Sequence, residues 1–167
     1  MTPRPLSRID AFAVPALAVA IGIATALKEA PPVRAAEAAA APAVHYWRSE
    51  NVAKSFASGA VLFDEHTNYM IHTSRRDQPG MAEVHDLDTD LIHVLEGSAT
   101  FVTGGRAVDL KNTAPDEWRG ASIEGGETRV LGPGDVIIVP AGVPHWFKDV
   151  RGPLLYYTVK VRNGGAR

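Results

Sequence analysis

Residues 134–149, GDVIIVPAGVPHWFKD, constrain the fold more than any other part of the chain. Gly134 follows Gly132-Pro133 and closes a tight turn, where glycine adopts positive φ without strain and proline presets its own φ. Residues 135–139 are a short run rich in β-branched apolar side chains, the signature of a buried strand. Pro140, Gly142 and Pro144 stop that strand and set up a narrow bend that delivers His145 at the start of the next one. An imidazole held in so rigid a frame, with Trp146 and Phe147 beside it, is a candidate for chemistry. Its plain alternative is a histidine satisfied by a hydrogen bond inside a barrel.

From residue 44 onward the pattern is short and β-like, with few positions where an amphipathic helix fits. Strands are expected at 60–64, 69–75, 82–85, 90–96, 99–103, 122–124, 128–131, 135–139, 146–148 and 154–161. Turn signals such as Gln78-Pro79-Gly80, Glu96-Gly97 and Arg151-Gly152-Pro153 separate them. Many short strands with regular punctuation indicate an all-β sandwich or barrel. Residues 111–121, KNTAPDEWRGA, are expected to form a surface loop, either a lid or a passive connection.

Residues 1–43 have a different composition. Arg4 and Arg8 precede an almost uncharged apolar run at 11–27, and 31–43 are mostly alanine and proline, which is the layout of a secretory leader. The apolar run is interrupted by Pro15 and Gly22 and is short for a spanning helix, which needs about 20 residues. Small-residue patterns place cleavage after Ala38 or Ala40, with an uncleaved membrane anchor as the alternative. The expected organisation is a leader over 1–40 and one β-barrel domain over 44–163. That makes the protein exported, periplasmic or secreted, with no membrane contact after cleavage. The chain has no cysteine, so such a domain has neither disulfides nor thiolate metal ligands. A net charge of −2 argues against nucleic acid or anionic lipid as a partner.

A second chemical cluster lies at 83–97, EVHDLDTDLIHVLEG. Glu83 and His85 are two apart on a strand, so their side chains leave the same face about 6.6 Å apart and can converge on one ion. Asp90 opens the following strand and shares a face with Ile92 and Val94, whereas His93 points the other way. Asp86 and Asp88 fall in the connecting turn and are expected to serve that turn or face solvent. Tyr69, His72, Arg75 and Arg76 lie on or just after the preceding strand, where alternation lets only one of the pairs Tyr69/Ile71 and Met70/His72 point inward. An inward arginine would favour an anionic ligand. Trp118, Trp146, Phe147, Tyr156 and Tyr157 either wall a pocket or fill the core.

The two clusters together resemble the cupin superfamily. Its second motif is matched in spacing by Gly134, Pro140, Gly142 and His145, with Asp149 in the asparagine position. Its first motif is altered: His85 takes the second histidine, Asp90 the glutamate and Gly97 the final glycine, while Glu83 stands at the first histidine and Asp77 at the first glycine. The resemblance implies a double-stranded β-helix (jelly-roll) barrel, a homodimer, and one divalent metal ion bound inside. Transferred position by position, His85 and His145 become nitrogen ligands, and Asp90 and Glu83 carboxylate ligands. Iron, manganese, zinc and nickel all accept these donors. Asp90 reaches about 1.5 Å less far than a glutamate, so it either binds from a closer strand or orients a ligand from behind.

Two functions follow from that resemblance. One is a metal-dependent enzyme acting on a small oxygenated or anionic molecule, with Glu83 as ligand or general base. The other is a non-catalytic small-ligand-binding or structural metallo-barrel.

Overall fold

In chain order the elements are α1 (Ser49–Ser58), β1 (Val61–Phe63), β2 (Tyr69–Arg76), β3 (Ala82–His85), β4 (Asp88–Thr103), β5 (Arg106–Val108), β6 (Lys111–Ala114), β7 (Glu117–Gly120), β8 (Ser122–Glu124), β9 (Glu127–Leu131), β10 (Val136–Val139) and β11 (His145–Arg162). They come from a computed structural model that describes residues 43–65 and 68–164. The expected leader lies outside the described residues.

β4 and β11 are the backbone of the architecture. They pair antiparallel along nearly their whole lengths, from His145↔Thr103 to Arg162↔Asp88. Sequence reasoning split each into two strands at its turn signal. The structure corrects this: Gly97 and the Gly152-Pro153 pair bend the strands without ending them, and the register shifts between Arg151 and Leu155. Gly97 has φ 73°, and a Cβ there would lie 2.6 Å from the Pro153 carbonyl oxygen, so only glycine lets the two bends pack together.

Around this pair the sheet curls. β2 lies against the second half of β11, from Leu154↔Arg76 to Val161↔Tyr69, with β1 beyond it. At the other end, His145 of β11 pairs with Glu83 of β3, and β7 and β6 extend the sheet from there. β9 and β10 both pair with β4, while β5 and β8 form a separate two-stranded ribbon. The architecture is the all-β double-stranded β-helix expected from the sequence.

Period-two alternation divides the inner face into an apolar end and a polar end. On β4, Asp88, Asp90, Ile92 and Val94 are all buried on one face. Ile92 and Val94 join Phe101, Phe147, Leu154 and Tyr156 in the core, where the Phe101 and Phe147 rings are 4.5 Å apart. The two aspartates lie at the other end of the same row.

Two segments differ from expectation. α1 was not anticipated, because a ten-residue helix with one buried side chain carries little periodic signal. It is anchored by Phe56 edge-on to Tyr157 at 5.1 Å and ends at Gly59, whose φ of 64° suits a C-terminal cap. Residues 111–121 contain the β6–β7 hairpin, with Asp116 at φ 62° in its turn.

Candidate metal centre

Three local features bring the site together. β3 sends Glu83 and His85 to the same side, and β11 begins with His145 directly across from Glu83. The turn before His145 is tied to the first cluster, since Gly142 N donates to the His85 carbonyl at 2.7 Å. His145 Nδ1 lies 3.2 Å from the Val143 carbonyl, a contact that holds the proton on Nδ1 and leaves the Nε2 lone pair facing the site.

Glu83 Oε2 is 3.7 Å from His85 Nε2 and 3.8 Å from His145 Nε2, and the three donor atoms lie within 4.8 Å of one another. An ion with bonds of about 2.1 Å needs neighbouring donors about 3.0 to 3.4 Å apart, so the two Glu83–histidine separations need to contract by only a few tenths of an ångström. Asp90 Oδ2 is 3.4 Å from His85 Nε2 and 3.8 Å from His145 Nε2, but Lys160 Nζ contacts both Asp90 oxygens at 2.8 and 3.1 Å.

The donor set fits a divalent cation. His85 is 3% exposed, and neither of its ring nitrogens has a well-formed hydrogen bond among the described residues. An ion at Nε2 would satisfy one of them, and Glu117 Oε2, 2.8 Å from Nδ1, stands where a carboxylate orients a metal-binding imidazole.

Charge coupling is strong. Burial alone would lower the His85 pKa, but contacts with Asp90 and Glu117 outweigh it and raise it to about 9. For His145 burial prevails over the pull of Glu83 and Asp90, and its pKa is lowered. Burial works against the Glu83 carboxylate, yet Arg119, His145 and Arg76 hold its pKa below the ordinary value.

Two of the three donors, Glu83 and His85, line a cavity of about 380 Å³, and His145 faces Glu83 from β11. β2 lines it with Met70, His72, Ser74 and Arg76. Tyr156, Thr158 and Lys160 of β11 line it as well, and so do Glu117 and Arg119 of the β6–β7 hairpin. His72 and Tyr156, both sequence candidates, are therefore at the cavity. Tyr69, Arg75 and Trp118 are placed elsewhere, because alternation turns them to the opposite faces of β2 and β7. Tyr69 stacks on Phe63, Arg75 pairs with Asp77 at 2.8 Å, and Trp118 donates to Asp86 at 2.8 Å. Asp88 departs from the turn-or-solvent expectation, being 5% exposed and part of the cavity wall.

Sequence reasoning missed Glu117, Arg119 and Lys160. Reading Pro115-Asp116 as a hairpin turn would have placed Glu117 and Arg119 on one face. Even-numbered parity with Tyr156 would have found Lys160.

Comparison with known proteins places this geometry in a family. The sequence model of a family described as Cupin matches residues 43–167. No curated protein matches the chain. Among solved structures, a Bacillus halodurans protein is similar at 15% identity over 75% of this chain and 85% of that one, with a TM-score of 0.51. A Klebsiella pneumoniae protein with a double-stranded β-helix domain shows 16% identity over 65% and 83% of the two chains, with a TM-score of 0.43. Hydroquinone 1,2-dioxygenase from a Sphingomonas species, with 4-hydroxybenzoate bound, shows 13% identity over 74% and 82%, with a TM-score of 0.46.

Proposed function

This chain belongs to the cupin family, and from that premise we propose that it is a metal-dependent enzyme acting on a small oxygenated or anionic molecule. The observation that carries the proposal is the convergence of Glu83 Oε2, His85 Nε2 and His145 Nε2 beside a cavity large enough for a small solute. These three residues would hold one divalent ion, with iron, manganese, zinc and nickel all compatible. When bound, the ion would supply Lewis-acid polarisation of a substrate oxygen or activation of water.

The surrounding side chains have separate tasks. Glu117 orients His85 from Nδ1, and the Val143 carbonyl orients His145. Lys160 neutralises Asp90, which favours a positioning role for Asp90 over direct ligation. Glu83 acts as a ligand, since its Oε2 lies 3.7 and 3.8 Å from the two Nε2 atoms and the residue shares a strand face with His85; a general-base role is the alternative. The proposal also includes export under the leader at 1–40 and assembly as a homodimer, for which Val130, Val136 and Ile138 offer exposed apolar surface.

One observation favours the non-catalytic reading. Glu83 and Asp90 are already balanced by Arg76, Arg119 and Lys160, as in a self-contained polar barrel. Elemental analysis of protein purified from its own compartment decides between them, followed by assays of that metalloform for oxygen uptake and small-acid turnover. About one divalent ion per chain, lost in His85→Ala and His145→Ala variants that keep their β-rich fold, together with turnover, is the expected result. Full occupancy in the double variant would dispose of the site, and occupancy without turnover would favour a binding or structural barrel.

A further inference from the structure

Glu83 lies between two arginines that are held very differently. Arg76 is fixed: Nε donates to the Tyr156 hydroxyl at 2.8 Å, Nη2 donates to Glu83 Oε1 at 3.0 Å, and the guanidinium lies 4.7 Å above the Phe147 ring. Arg119 approaches from β7 and contacts Glu83 Oε2, the oxygen that faces both histidines. That contact is made by Nη1 alone, 2.5 Å from the oxygen, while Nη2 is 3.6 Å from Glu117 Oε2. Its side chain is 32% exposed, so it sits at the cavity wall where a solute can reach it.

We propose that Arg119 is the anchor for the carboxylate of a small monoanionic organic acid, and that this anchor becomes available when Glu83 Oε2 is committed to the metal. The inference rests on the metal-site reading above. Arg119 and a divalent ion compete for one oxygen, and the ion carries twice the charge in a smaller volume. Once Oε2 is taken, Arg119 is a cation at the cavity wall whose main acceptor is shared, which is costly in a partly desolvated site. A guanidinium fork matches a carboxylate in shape as well as in charge.

Charge decides the valence of the ligand. The cavity wall carries three cations, Arg76, Arg119 and Lys160, against four carboxylates, Glu83, Asp88, Asp90 and Glu117. The protein side chains thus carry one net negative charge with the histidines neutral, and a divalent ion turns that into one net positive charge. A monoanion balances it. A neutral molecule leaves Arg119 short of an acceptor, and a dianion overshoots. The same competition makes metal and acid bind cooperatively, since each relieves the conflict over Glu83 created by the other's partner.

The test uses the full chain loaded with zinc and titrated with lactate, with lactamide as the uncharged control and metal content measured in every sample. Lactate should bind the zinc form about tenfold or more tighter than lactamide, and tighter than it binds the metal-free form by a similar factor. Arg119→Met should lose about tenfold or more of the lactate affinity while retaining zinc, and Arg119→Lys should keep part of it. Equal binding of lactate and lactamide, or an Arg119→Met protein with full zinc and unchanged lactate affinity, overturns the anchor and leaves the metal site standing. A wild type that takes up no zinc overturns the metal reading and the anchor together.

Discussion

Lys160 Nζ lies 2.8 Å from Oδ1 and 3.1 Å from Oδ2 of Asp90, joining two residues 70 positions apart in the chain that are direct cross-strand partners on β11 and β4. A lysine thus occupies both oxygens of the carboxylate that stands in the family's glutamate position. The pair is well buried, so each charge depends on the other.

Removing the lysine should therefore be costly. Lys160→Met leaves the buried Asp90 with His85 as its remaining cationic neighbour and should destabilise the fold at pH 7 by about 1 to 3 kcal/mol, read as a drop in urea midpoint. Burial opposes the Asp90 charge, but contacts with His85 and Lys160 lower its pKa to about 2. Its contribution is present above the unfolded value near 3.8 and lost as pH falls through about 2. The variant should accordingly unfold at a higher pH on the acid side, and Asp90→Asn in the same background should restore part of the stability. An unchanged midpoint at pH 7 would show that the pair contributes nothing.

Metal binding should tighten with rising pH well beyond the ordinary histidine range. His85 has a folded pKa raised to about 9 in the metal-free protein, so the ion must displace a proton from it at neutral pH. Affinity should climb about tenfold per pH unit between pH 7 and 8 and level off above about 9, as chelator competition would reveal. The sign for the metal-free fold is the reverse: stability from charged His85 is fully present below the unfolded value near 6.5 and lost as pH rises through about 9. A flat affinity profile between pH 7 and 8 would contradict a protonated His85.

Substitutions at Glu83 separate its two roles. As a ligand it supplies a charged oxygen, so Glu83→Gln should weaken metal binding clearly and Glu83→His should restore it. As a general base it would leave metal content intact in the Gln variant and lower turnover by about 10² to 10⁴. Affinity for one ion at one pH, unchanged across wild type, Gln and His, would eliminate the ligand role.

Export has its own measurement. N-terminal sequencing of protein recovered outside the cytoplasm should give a mature chain beginning near residue 39 to 41. Recovery of a membrane-bound form retaining residues 11–27 would instead indicate an anchor.

Features local in the chain were legible in the sequence. Gly134, Pro140, Gly142 and His145 announce a strand, a bend and a presented imidazole because turn chemistry acts over a few residues. The two-residue spacing of Glu83 and His85 puts both on one face because strand geometry has a period of two. The same alternation grouped Asp90 with Ile92 and Val94, and all three are buried. Periodicity nevertheless gives parity without sign. Whether Met70, His72 and Arg76 or Tyr69 and Arg75 face the cavity was settled only when β2 docked on β11 in the register Tyr156↔Ser74. Turn signals at Gly97 and Gly152-Pro153 read as breaks, yet long-range pairing carries both strands through them. Tertiary structure alone decided the charge environment of the site. Lys160 meets Asp90, and Arg119 and Glu117 meet Glu83 and His85, across strand pairs far apart in sequence, where no local pattern records which cation will face which carboxylate.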